Sequence, residues 1–101
     1  MTEAAPKTRR QRIADLLRRG PLSVSEIARL TSGSVKGVLA DLEHVRRGIE
    51  AAETWTVAPA ECASCGFRFK GREKLDVPSR CPRCRSEDIV EARYAIAQRG
   101  G

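Results

Sequence analysis

The chain has 101 residues, 19 lysines and arginines against 13 acids, a formal net charge of +6, and 41% hydrophobic residues with only four aromatics among them. That length holds one domain, or two small units sharing a core, and a core built mostly of Leu, Ile, Val and Ala calls for a stabilising device such as a metal. No stretch approaches the roughly 18 apolar residues of a membrane span, and "MTEAAPKTRRQR" lacks an apolar run of signal-peptide length, so a cytoplasmic protein with no membrane partner is expected.

Met1 to Pro6 read as a disordered N-terminus. From Lys7 the pattern is helical, with Ile13, Leu16 and Leu17 on one stripe and Arg9, Arg10, Arg12, Arg18 and Arg19 around it, and "RRGP" ends it at Gly20 and Pro21. Ser23 and Glu26 have the spacing of a reciprocal helix cap and open a second, short helix with Ile27, Ala28 and Leu30 inward. Gly33 breaks that helix. Ser34 caps a third, in which Val35, Val38, Leu39, Leu42, Val45 and Ile49 follow the i, i+3, i+4 spacing of a buried stripe.

After "RRGIEAAE" the period changes. "TWTVAP" is β-branched and aromatic, bounded by Pro59, and reads as a strand. "DIVEARYAIA" alternates, with Val90, Ala92, Tyr94 and Ile96 on one face and Glu91 and Arg93 on the other. Three helices followed by two strands is the order of a winged helix-turn-helix. The fold expected is therefore α+β: a three-helix winged helix-turn-helix spanning 7–59 and 87–97, with 60–86 inserted between the two wing strands and 98–101 as a tail.

The insertion, "CASCGFRFKGREKLDVPSRCPRCRS", holds every cysteine of the chain. Cys62-x-x-Cys65-Gly66 and Cys81-Pro82-x-Cys84 are two knuckles whose spacing fits a four-cysteine zinc site. A two-residue gap lets both sulfurs of a pair point at one ion, Gly66 relieves the backbone after the first turn, and Pro82 stiffens the second. Four thiolates complete a tetrahedron, so one structural Zn2+ is expected, with iron in the same ligand set as the alternative and disulfides disfavoured in a reducing compartment. A loaded centre lowers the chain's charge to about +4, still a basic balance that points to a polyanion.

The knuckles "CASCGFRF" and "CPRC" look like those of rubredoxin-type zinc ribbons. The whole order, from about Lys7 to Ala97, resembles a group of archaeal predicted transcription regulators that fuse a winged helix-turn-helix to a rubredoxin-like zinc ribbon occupying the wing. The resemblance implies double-stranded DNA as partner, gene regulation as role, and Cys62, Cys65, Cys81 and Cys84 as metal ligands.

In such a fold the third helix enters the major groove. Turning its apolar stripe inward leaves Lys36, Gly37, Ala40, His44 and Arg47 on the outer face beyond the Ser34 cap, with Asp41 and Glu43 at its flanks, acids that would repel a phosphate backbone. Two small residues allow close approach, Lys36 and Arg47 suit phosphates, and His44 suits a base edge or phosphate; the bland alternative is an ordinary solvated face. Arg9 and Arg10 are phosphate contacts if their helix end lies along the backbone, and otherwise a solvated charge run.

If "FRFKGREK" is extended, Phe67 and Phe69 face one way as cover for the knuckles. Arg68, Lys70, Arg72 and Lys74 then line the other as a second basic surface, with Gly71 at a bend, and Arg68, Lys70 and Arg72 are DNA-binding candidates that could track a phosphate backbone beside the groove. The equal alternative for the basic residues around the second knuckle, Arg80, Arg83 and Arg85, is the structural one of offsetting the negative metal-thiolate centre. Rival readings make the ribbon a docking module for a transcription or other assembly, or an iron-based redox carrier, and a homodimer is a further partner to consider. No nucleophile-base pair, open metal site or phosphate-binding glycine loop is legible, so an enzyme is not expected.

Overall fold

The computed structural model describes residues 8–69 and 78–98. α1 (Arg9–Arg19) starts at a reciprocal cap: the Gln11 amide donates to Thr8 Oγ1 at 3.2 Å and the Thr8 amide to Gln11 Oε1 at 2.8 Å. α2 (Val24–Thr31) starts at the expected Ser23–Glu26 pair, with bonds of 3.2 and 3.0 Å. α3 (Val35–Arg47) starts at Ser34, whose Oγ accepts from the Gly37 amide at 3.0 Å. The residue that ends α2 in the left-handed region is Ser32, with φ 55°, and not Gly33.

Among the described residues, two antiparallel sheets are present where the periodicity suggested two strands. β1 (Leu22–Ser23), β5 (Arg93–Gln98) and β2 (Glu53–Ala58) lie in the order β1-β5-β2, with Trp55 opposite Ile96 and Val57 opposite Tyr94. β3 (Glu61–Cys62) and β4 (Ile89–Val90) pair separately. β1 is too short to show alternation. The alternation read through Ala92 is interrupted before β5, so Val90 belongs to the second sheet, opposite Glu61, and is 48% exposed rather than inward.

One core joins the helices to β5: Ile13 and Leu17 from α1, Val24, Ile27 and Ala28 from α2, Val38, Leu42 and Val45 from α3, and Tyr94 and Ile96. Leu39, Ile49, Trp55 and Ala92 pack at its edge. Leu30 and Val35, both expected inside, are 57% and 40% exposed. On α2 the buried set is Val24, Ile27, Ala28 and Thr31, an i, i+3, i+4, i+7 stripe that leaves Leu30 on the far side. Val35 is the first residue of α3, one turn before that helix's buried residues begin.

Polar ties fasten the elements. Arg18 on α1 grips buried Glu53 at the start of β2 through Nε (2.6 Å) and Nη2 (3.1 Å), and the Glu50 amide adds a third bond at 3.0 Å. The Arg18 guanidinium, with the Glu50 amide behind it, holds the Glu53 carboxyl below the ordinary range against the opposing effect of burial. Glu91, between β4 and β5, accepts from the Ser25 amide at 3.2 Å and the Ser25 hydroxyl at 2.5 Å, fixing the exit of the cysteine segment to the start of α2.

Candidate metal centre and nucleic-acid interface

Because β2 and β5 pair from Glu53–Gln98 to Ala58–Arg93, the segment between them leaves and re-enters at one end of the sheet. Each half of that segment folds into a knuckle with the same bond pattern. Gly66 and Arg85 donate to the carbonyls of Cys62 and Cys81, each at 2.8 Å. Cys62 and Cys81 donate to the carbonyls of Phe67 and Ser86 at 2.8 and 2.9 Å. The residue after the second cysteine is left-handed in both: Gly66 with φ 78°, Arg85 with φ 64°. Gly66 thus has the backbone role expected of it, while Arg85 fills the matching position without glycine's freedom.

The four sulfurs of Cys62, Cys65, Cys81 and Cys84 lie within 4.8 Å of one another. Cys62 and Cys84 approach to 3.5 Å and Cys65 and Cys81 to 3.7 Å. A tetrahedral ion with metal–sulfur bonds of about 2.3 Å sets an edge of about 3.8 Å, so the sulfur set fits one such ion, whereas a disulfide requires about 2.05 Å. The arrangement is a closed four-sulfur site, able to staple the two knuckles and offering no ligand position to a substrate.

Backbone amides prepare the sulfurs for negative charge. Arg83 and Cys84 amides donate to Cys81 Sγ at 3.4 and 3.5 Å. Burial pushes the Cys62 thiol up, but the Cys65 and Ser64 amides and the neighbouring thiols outweigh it and hold it down at about 6. Cys81 is likewise lowered: burial opposes, and the amides of Cys84 and Arg83 prevail. Cys84 is pushed up to about 12; the Ser86 amide pulls it down, and the interaction with Cys62, together with burial and the other thiols, wins. An ion that takes all four sulfurs as thiolates displaces their protons.

Around this centre, Phe69 is buried and meets half-buried Phe67 edge-on, ring centroids 5.1 Å apart, so both rings serve as ribbon core. Arg68 stands opposite Glu61 and pairs with it at 3.4 Å, both side chains exposed. Lys70 and Arg72, with Gly71 and Lys74, lie outside the described residues. Arg80 pairs with Glu87 at 3.5 Å.

On α3, Ser34, Lys36, Ala40, His44 and Arg47 are exposed on the face away from the core. Arg47 shares Glu43 with Arg46, at 3.6 and 3.1 Å. Two expectations for this face are overturned. Asp41 is buried, and its carboxylate receives the Nε of both Arg9 (2.5 Å) and Arg10 (3.1 Å), so it braces α1 against α3 and leaves half-buried Glu43 as the acid at this face. Gly37 is half-buried, because the Arg9 guanidinium lies across it: a Cβ there would stand 3.2 Å from Arg9 Nη2 and 3.1 Å from Ser34 Oγ.

The family model of the PF0610-like N-terminal domain matches residues 8–54, and that of the PF0610 rubredoxin-like zinc beta-ribbon domain matches residues 59–99. The solution NMR structure of protein PF0610 from Pyrococcus furiosus is similar over 95% of this chain and 94% of that one, with 37% identity and a TM-score of 0.70. The chain belongs to the PF0610-like family. No curated protein matches it.

In this PF0610-like chain the ribbon match begins just past β2, where the strand hands over to Pro59, and the N-terminal match ends within β2. The ribbon is a metal-binding zinc ribbon by its family match and its four-sulfur cluster together. No helix among the described residues is long and apolar enough to cross a membrane. Sequence reasoning missed Thr8–Gln11, although Thr-x-x-Gln is a legible capping signal, and it missed the Asp41 brace, for which sequence spacing across 31 and 32 residues offers no signal.

Proposed function

We propose that this chain is a DNA-binding transcription regulator, a winged helix-turn-helix in which α3 enters the major groove and the zinc ribbon stands in place of the wing. The observation that carries the reading is the chain order α1-β1-α2-α3-β2-β3-β4-β5, with β3 and β4 in the ribbon, and the sheet order β1-β5-β2, an arrangement that supports a ribbon at the wing position beside a solvent-facing α3. Lys36 and Arg47 are the phosphate contacts of that face, Ala40 permits close approach, and His44 lies beside them. The ion in the ribbon is structural: Cys62, Cys65, Cys81 and Cys84 would hold one Zn2+, which fixes the two knuckles relative to each other.

Half-buried Glu43, paired with Arg46 and Arg47 beside this face, favours a second reading, in which α3 or the ribbon docks on a protein assembly. A genome-wide selection for bound duplex fragments with the zinc-loaded protein separates the two. Enrichment of a common sequence, lost with Lys36→Ala plus Arg47→Ala, supports the regulator; recovery of no fragments at low salt removes it.

A further inference from the structure

The tie between α1 and α3 carries more charge than it needs. Two guanidiniums converge on the single buried carboxylate of Asp41, each through Nε, one to each oxygen, which leaves a surplus of one positive charge at that seam. Both arginines remain open to solvent, with side chains 41% and 52% exposed, while Asp41 is 8% exposed. The Nη atoms of Arg9 come within 3.4 and 3.2 Å of where side chains would begin at Gly33 and Gly37. Arg10 lines a groove between α1 and α3 together with Gln11, Asp15, Arg18 and His44.

We infer that Arg9 and Arg10 form a phosphodiester clamp beside the exposed face of α3, and that Asp41 is its positioning residue. The inference rests on the DNA-binding reading above and names an interaction that reading does not require. A free arginine loses rotamer freedom when it binds; these two are already held, each with Nε bonded to Asp41 and its side chain still 41% or 52% exposed. Gly37 fits the same design, because a Cβ there would stand 3.2 Å from Arg9 Nη2 and make the guanidinium give by a few tenths of an ångström. The ligand is the DNA backbone and not a base edge, since phosphate recognition needs charge and position without sequence information.

The test is equilibrium binding of the zinc-loaded protein to a short fluorescent mixed-sequence duplex over a range of salt. Arg9→Gln and Arg10→Gln are each expected to weaken binding and to reduce the slope of log K against log salt by about 0.9 for each phosphate no longer neutralised. Asp41→Asn removes a negative charge, so a purely Coulombic acid would bind DNA more tightly after substitution. A positioning role predicts the opposite, binding weaker by about three- to tenfold as preorganisation is removed.

Thermal unfolding and zinc content of each variant establish that folded protein is compared; if Asp41→Asn does not fold, the two glutamine variants still decide. Unchanged slopes for both glutamine variants, with the slope still reduced by Lys36→Ala plus Arg47→Ala, overturn the clamp and leave the regulator standing. Tighter binding by Asp41→Asn overturns the positioning role. No duplex binding by the unsubstituted protein overturns both readings.

Discussion

Exchanging the residues at the two left-handed positions of the ribbon tests how the knuckles hold a metal. Gly66 and Arg85 occupy the same place in their turns, at φ 78° and 64°, and each donates to the first cysteine carbonyl of its knuckle at 2.8 Å. An L-residue in this region costs roughly 1–2 kcal/mol. A Cβ built on Gly66 meets nothing within 4 Å, so Gly66→Ala adds no collision and its cost is conformational. Alanine's smaller unfolded-state freedom returns about 0.5 kcal/mol, for a net loss of about 1 kcal/mol.

Arg85→Gly runs the other way, removing the left-handed penalty at the entropic cost of a glycine, for a gain of up to about 1 kcal/mol. Because metal binding and ribbon folding share one free energy, each kcal/mol appears as about a fivefold change in zinc affinity. Competition against a chromophoric chelator reads it. The order Arg85→Gly, unsubstituted, Gly66→Ala from tight to weak is expected. The reverse order, or Gly66→Ala equal to the unsubstituted protein, refutes the argument.

Leu42 is fully buried at the centre of the core, so Leu42→Ala should cost about 3 kcal/mol by denaturant unfolding. Glu53 has its carboxyl lowered in the folded state by Arg18, so its contribution is present above the ordinary glutamate range and fades as pH falls through the depressed value. Glu53→Gln should therefore be less stable at neutral pH and show a shallower loss of stability on acidification, read from thermal midpoints across pH. Protein purified without added metal should be colourless and carry one zinc per chain; visible iron-thiolate absorption would replace zinc with iron at the same four sulfurs.

The features legible in the sequence are those that local rules determine. Ser23–Glu26 and Ser34 announce helix starts because a capping side chain reaches only three residues ahead. The two C-x-x-C pairs announce a sulfur cluster because the knuckle is a turn whose geometry is local and only their meeting is long-range. What escaped depends on packing between distant residues. Asp41 looked like a flank of an outer face because a helical wheel cannot show that α1 crosses it with two arginines. Val90 alternates with Tyr94 in sequence but pairs with Glu61 in the ribbon, since a strand's membership depends on its neighbour and not on its period. Arg85 gave no hint of a left-handed turn, because its residue type does not favour one.

The central claim is that this zinc-ribbon chain binds duplex DNA through α3, and the most direct measurement is fluorescence anisotropy of a genomic duplex titrated with zinc-loaded protein at increasing salt. The account predicts binding at low salt, a linear fall of log K with log salt, and a shallower fall when Lys36 and Arg47 are both replaced by alanine. Binding absent at low salt, or a salt slope unmoved by those two substitutions, would contradict it.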